Sequence, residues 1–240
     1  TVTEASYRVT AETISNTCGQ TISSSGVWNM MQRLGERIAE EEQYAVKEMH
    51  ADRVQGEKVI PVLFEEMDGI WLHMQNSNHR KMKKQEMKVF TMYEGWDKEQ
   101  KKRSSLVEKT MLAGMESSQI FHEKREALIE KKYNADEIQQ RILNGDGGSW
   151  IRETYDPDAI FQLDRYHIYQ EILRKISDRD AQREARKLFE EEKITEFLEF
   201  ILVYADSVET TDEKDKRSQK ARELYHYCLL YTSPSPRDYA

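Results

Sequence analysis

Three acidic residues stand at the ends of short apolar runs, where a strand would deliver a side chain to a shared centre. Asp68 ends the run from Val62 and precedes Gly69, Asp146 follows Ile142–Gly145 and precedes Gly147, and Asp164 follows Ile160–Leu163 with His167 three residues on. Carboxylates at such positions suit hard divalent cations, since Mg²⁺ prefers oxygen ligands and keeps several waters. Two such ions about 4 Å apart can activate an attacking oxygen and stabilise the leaving one in phosphodiester chemistry. In that scheme Asp68 bridges both ions and Asp146 holds one of them. His167 orients Asp164, touches a substrate phosphate, or packs at a helix start. Asp-Gly is equally a turn-forming pair, and for either pair alone that use stands beside the chemical one. Other chemistries fit less well. His73, His79 and His122 lack the tight spacing and cysteine partner of a zinc site. The GDGG run has no following Lys-Ser or Lys-Thr, so it is no phosphate loop. Ser149, Asp164 and His167 show no nucleophile elbow.

The elements that must position these residues follow from periodicity. Lys58–Gln75 reads as a strand, a tight turn at Asp68-Gly69, and a second strand, with Glu86–Trp96 as a third. Three strands with short loops make an antiparallel meander. Residues 97–134 are charged and read as mostly helical. Arg141–Leu143 and Ala159–Leu163 are short strands, Ser149 can cap a brief helix, and a helix starts at Arg165 with Tyr166, Tyr169, Leu173 and Ile176 recurring. Together these predict an α/β (α+β) fold, a mixed sheet with helices on its faces. Upstream, residues 5–16 and a second helix that Ser24 or Ser25 can cap, carrying Val27, Trp28, Met31 and Leu34, form a pair, with Gly35 as an interruption. A helix-turn-helix and a plain helical hairpin both fit, and only Arg33 and Arg37 are basic near the end of the second helix. Residues 36–57 continue as a polar, Glu-rich helix or linker. Residues 178–227 read as charged helices, with Ile194–Tyr204 the most apolar segment and expected to pack inward. Residues 231–240 hold two prolines and no periodicity, and read as a disordered or foreign tail.

The composition bounds the remaining classes. The chain has 240 residues, 33% of them charged, with a mean hydropathy of -0.84 and a net charge of -8. This predicts a core surrounded by long charged helices. No apolar run reaches membrane-spanning length, and no signal peptide is visible. Cys18 and Cys228 make no zinc pattern and no disulfide framework, which fits a reducing, cytoplasmic setting. The acidic balance argues against a positively coated surface. Residues 80–103 run the other way, with nine Lys or Arg against four Asp or Glu. Arg80, Lys81, Lys83 and Lys84 can meet a phosphate backbone, or simply solvate a hairpin tip.

Five segments carry a family resemblance: GVWNMMQRLG at 26–35, FEEMDGIWLHMQ at 64–75, KKQEMKVFTMYEGW at 83–96, ILNGDGGSWI at 142–151 and FQLDRYHIYQEI at 161–172. In this order they resemble a bacterial insertion-sequence transposase family, related to the Mutator-like transposases and built on a ribonuclease H-like catalytic domain. The resemblance spans residues 5–176. It implies that Asp68 and Asp146 are the first two members of an aspartate-aspartate-glutamate triad binding Mg²⁺ or Mn²⁺. It also implies that Asp164 and His167 form the family's aspartate-or-cysteine, two residues, histidine signature, and that Asn144, Gly145, Gly147 and Trp150 shape the second aspartate's loop. The implied partners are double-stranded DNA, both transposon ends and target, with a homo-oligomer in the intact protein and no membrane. The expected layout is a helix-turn-helix-like region at 1–38, a helical linker at 39–57, a partial catalytic core at 58–176, a partial helical insertion at 177–230 and the tail at 231–240. The third carboxylate departs from the pattern. Glu190, Glu191, Glu192, Glu196, Glu199, Glu209 and Glu223 are available, and no motif anchors any of them. The expectation is therefore a truncated member that lacks this glutamate and is inactive alone. A non-catalytic DNA-binding or assembly module is the alternative.

Overall fold

The computed structural model describes residues 5–53, 55–74, 83–97, 105–153, 159–212 and 214–232. The chain divides into two compact units, one of Thr1–Lys58 with Glu123–Ala135 and one of Val59–His122 with Asp136–Ala240.

The first unit is helical. Helix α1 (Tyr7–Cys18) is capped by the Ser6 hydroxyl and closed by Gly19, whose φ of 66° lets its N–H reach the Ser15 carbonyl. Helix α2 (Ser24–His50) is capped by Ser23 rather than by Ser24 or Ser25, because Ser23 is the residue still extended when its hydroxyl accepts the Gly26 N–H at 3.0 Å, while Ser24 is already helical. Gly35 does not interrupt it. A glycine inside a helix costs about 1 kcal/mol relative to alanine, too little to stop propagation between two good helical flanks. The second part of α3 (Ser118–Lys132) also belongs to this unit, where Lys124 pairs with Glu42 of α2 at 2.9 Å.

The second unit holds a five-stranded mixed sheet flanked by helices, an α+β arrangement. Its strands are β1 (Val62–Leu72), β2 (Gln85–Tyr93), β3 (Thr110–Gly114), β4 (Gln140–Gly145) and β5 (Ile160–Leu163), in the order β3-β2-β1-β4-β5. The first three are antiparallel, while β4 runs parallel to β1 and β5 parallel to β4. Two expectations change here. Asp68-Gly69 makes no turn. Strand β1 runs straight through it, with Asp68 opposite Val89 and Gly69 opposite Lys88. The turn preference of the pair is local, and unbroken pairing from Phe64 to Leu72 outweighs it. Nor are the described residues within 97–134 mostly helical, since Thr110–Gly114 pairs with β2 as the edge strand β3 and the one α-helix among them is Ser118–Lys132. That apolar run is too short for its period to be read, and the neighbouring strand decides its state.

The register of β1 on β4 sets the site. It runs from Val62 opposite Gln140 to Met67 opposite Gly145. A buried ion pair helps hold it: the Arg141 guanidinium donates from Nε to Glu65 Oε1 at 2.6 Å and from Nη2 to Oε2 at 3.2 Å. Leu63, Glu65 and Met67 occupy one buried face with Phe90, Met92 and Leu143. Phe64, Glu66 and Asp68 point the other way.

Helices α4 (Ser149–Glu153), α5 (Arg165–Lys175), α6 (Arg179–Glu190), α7 (Ile194–Ser207) and α8 (Arg217–Thr232) complete the unit. Leu163 of β5 joins Ile168 and Ile172 of α5, Phe189 of α6, Phe197 and Ile201 of α7 and Leu224 of α8 in one buried cluster. The apolar stretch at 194–204 does pack inward, with Phe197, Ile201 and Tyr204 buried. Helix α8 continues to Thr232, past the start expected for the tail, and residues 233–240 lie outside the described residues. No described helix is long and apolar enough to cross a membrane.

Candidate metal centre

Asp68 and Asp146 meet because two parallel strands stay aligned to their last paired residues. The final pair is Met67 with Gly145, so the next residue on each chain is an aspartate. Each carboxylate is steadied by backbone. Asp68 Oδ1 accepts the Gly69 N–H at 2.8 Å, and Asp146 Oδ1 accepts the Gly148 N–H at 2.8 Å. Past β4 the chain turns at Gly147, where φ is 78°, and Arg152 Nε donates to the Gly147 carbonyl at 2.9 Å. The third acid acts one step back. Asp164 caps α5, its Oδ1 accepting the Tyr166 N–H at 3.0 Å, while its Oδ2 accepts from His167 Nδ1 at 3.2 Å.

One ligand atom each from Asp68, Asp146 and His167 lie within 4.8 Å of one another. Two carboxylates so placed repel unless a cation or proton sits between them. Among the described residues, no Lys or Arg pairs with either aspartate. The group opens into a groove of about 990 Å³, whose lining includes Glu66, Thr91, Asn144, Gln162, Asp164 and His167. Tyr93 Oη donates to Glu66 Oε1 at 2.9 Å. Burial first, and then that bond and the Glu66 charge, push the Tyr93 phenol well above its usual value. The donor set suits a divalent cation: two carboxylate oxygens and an imidazole nitrogen, the carboxylates being without a paired Lys or Arg among the described residues.

The structure places the remaining expected residues as follows. Asn144 sits on β4 between Glu66 of β1 and Gln162 of β5 and lines the groove. Trp150 donates its indole N–H to Glu86 Oε1 at 3.2 Å, lies 5.6 Å under Lys88 Nζ, and has its carbonyl 3.1 Å from His122 Nε2. It therefore anchors the loop after Asp146 to the sheet. Lys83 and Lys84 are exposed just before β2, while Arg80 and Lys81 lie outside the described residues. Lys88, in the same basic stretch, is buried and donates to the Glu116 carbonyl at 2.8 Å, so it does not face solvent as a phosphate contact. None of the seven candidate glutamates joins the group among the described residues. Glu191 pairs with Lys193, Glu192 with Arg165, Glu209 with Arg222 and Glu223 with Lys175.

One contact had no signal in the sequence. Tyr227 of α8 donates its hydroxyl to the Asp146 carbonyl at 2.8 Å, across 81 residues. Burial, followed by the charge of Asp146, pushes this phenol well above its usual range. Beside it in sequence, burial pushes the Cys228 thiol up to about 12. No local pattern marks a helical tyrosine as the clamp of a distant loop.

The model of the family described as "Uncharacterised protein family (UPF0236)" matches residues 1–240. No curated protein matches the chain.

Proposed function

The chain belongs to the UPF0236 family, and we propose that it carries the metal-binding core of a DNA transposase, a metal-dependent polynucleotidyl transferase. The observation that carries this reading is the meeting of Asp68 and Asp146, 78 positions apart in sequence, without a Lys or Arg partner among the described residues and with Asp68 lining a groove. Asp68 and Asp146 would hold Mg²⁺ or Mn²⁺. A bound cation supplies Lewis-acid polarisation of a phosphodiester and lowers the pKa of a coordinated water. The chain's own part is positioning. Parallel β1 and β4 fix the two carboxylates, the Gly69 and Gly148 N–H groups fix their rotation, and Tyr227 holds the Asp146 backbone. The intact protein would cleave DNA at element ends with water and join the freed 3′ hydroxyl to target DNA, acting as a homo-oligomer.

DNA would approach along the β1–β2 hairpin. That hairpin extends beyond the last β4 pair, with Ile70 and Trp71 exposed on it and Lys83 and Lys84 at its base of entry to β2. Lys84 stands five strand positions from Val89, the partner of Asp68, or about 17 Å at the usual rise per residue. A second reading, a non-catalytic DNA-binding or assembly module, is favoured by one observation: no third carboxylate joins the group among the described residues.

Nicking of supercoiled plasmid in Mn²⁺ or Mg²⁺ separates the two. Metal-dependent nicking that disappears in Asp68→Asn and in Asp146→Asn supports the catalytic reading. Retardation of duplex DNA in a gel, with no nicking at any metal concentration, supports the module. A folded chain that does neither leaves both readings without foundation.

A further inference from the structure

The donor set says more than its two carboxylates do. We infer that His167 is itself a metal ligand, and that it makes this centre select Mn²⁺, or a comparable borderline cation, over Mg²⁺. The inference rests on the metal-dependent reading above and goes beyond it by naming a third ligand and the class of cation.

Three observations carry it. A ring nitrogen of His167 belongs to the same 4.8 Å group as the carboxylate oxygens of Asp68 and Asp146. The His167 side chain is 29% exposed and lines the groove, so it is not buried in the helical core as a packing residue. Its Nδ1 lies 3.2 Å from Asp164 Oδ2. An ionised carboxylate only accepts, so Nδ1 carries a proton in this contact, which leaves Nε2 as the nitrogen through which a neutral ring would ligate. This is the arrangement by which an outer carboxylate fixes the tautomer and orientation of a ligating imidazole and raises its basicity. Asp164 is itself locked, because its other oxygen caps α5 through the Tyr166 N–H. The spacing of Asp164 and His167 thus has a local cause: a helix cap holds the carboxylate, and the first turn of the helix presents the imidazole.

The choice of cation follows from ligand chemistry. Imidazole suits transition metals, whereas carboxylate, carbonyl and water suit Mg²⁺. Mg²⁺ also demands near-ideal octahedral geometry and gives up water reluctantly, so exchanging a water for a nitrogen donor disfavours it. Two carboxylates alone would leave Mg²⁺ and Mn²⁺ closer in affinity.

The test is pulsed electron paramagnetic resonance of Mn²⁺ bound to the purified chain, with its fold verified by circular dichroism. Coupling to an imidazole ¹⁴N is expected in the wild type. It should change to ¹⁵N coupling when the histidines are ¹⁵N-labelled, and vanish in His167→Gln while Mn²⁺ remains bound. In calorimetry, His167→Asp should narrow the Mn²⁺-to-Mg²⁺ affinity ratio by about tenfold. Mn²⁺ that is displaced by Asp68→Asn yet shows no nitrogen coupling overturns the inference and leaves the metal-dependent reading intact. Nitrogen coupling that survives His167→Gln overturns it equally. Absence of saturable Mn²⁺ and Mg²⁺ binding by the folded wild type overturns both.

Discussion

The chain uses an Asp-Gly pair twice and builds a different backbone around each. At Asp68-Gly69 the strand is continuous, and the glycine serves by its lack of a side chain. A Cβ at Gly69 would collide with Glu86 Oε1, the same oxygen that accepts the Trp150 indole N–H. At Asp146-Gly147 the pairing has just ended, and the glycine serves by its backbone, turning the chain at a φ of 78°. The two aspartates nevertheless converge. Strand register aligns them, and the glycines answer separate needs: room for a neighbour in one case, a left-handed turn in the other. Trp150 joins the two, since it sits in the loop helix after Asp146 and is held by the residue that covers Gly69.

The most severe way to break both halves together is to remove the pair that holds their register. Glu65→Ala leaves the Arg141 guanidinium, 14% exposed, without its buried partner. The expected cost is about 3–5 kcal/mol in denaturant unfolding, with metal binding lost at both aspartates. Unchanged metal affinity in a folded Glu65→Ala chain would mean that register does not set the site.

Next in size are the carboxylates themselves. Asp68→Asn and Asp146→Asn should each weaken Mn²⁺ binding by about 100-fold or more, with little change in melting temperature. A large loss in one and none in the other would split the centre, and calorimetric titration reads this directly.

The glycines then separate the two environments. Gly147→Ala forces a side chain into the left-handed region and should cost about 1–2 kcal/mol. Gly69→Ala pushes aside the end of a flexible glutamate, and its loss should stay near about 1 kcal/mol, the worth of the Glu86–Trp150 bond. Equal costs, or the reverse order, would remove the distinction between them. Tyr227→Phe should act on the Asp146 side alone, lowering stability by about 1 kcal/mol and weakening Mn²⁺ binding less than either aspartate variant does.

The smallest effect probes the helix behind that loop. Iodoacetamide at pH 8 should modify exposed Cys18 and spare Cys228, which is 1% exposed and has its thiol pushed up to about 12 by burial. The sign follows from linkage. Stability from keeping Cys228 neutral is complete below the unfolded thiol's pKa of roughly 8.5, and is lost as pH rises toward the folded value. Rapid labelling of Cys228 in the native chain would show that α8 does not stay packed behind Asp146.

Much of this architecture was legible because its signals are local. Alternating apolar residues mark β1 and β2, Asp164 marks the start of α5, and the apolar run at 194–204 marks a buried helix. Asp68 and Asp146 stand out by their positions at the ends of apolar runs. The errors share one cause. The turn read at Asp68-Gly69, the break read at Gly35 and the helix read across Thr110–Gly114 all trusted a short stretch whose preference is weaker than the pairing or helix around it.

By itself, then, the sequence determined most of the strands and helices and the chemical types available for a candidate metal centre, because each of these depends on residues within a turn or two of one another. Only the tertiary structure decided which of those groups meet. It aligned β1 with β4 so that the aspartates fall side by side, swung His167 rather than any candidate glutamate into their company, and brought Tyr227 across 81 residues to the Asp146 carbonyl. Such meetings depend on parallel register and helix packing, which couple residues far apart in the chain and leave no period in the sequence to announce them.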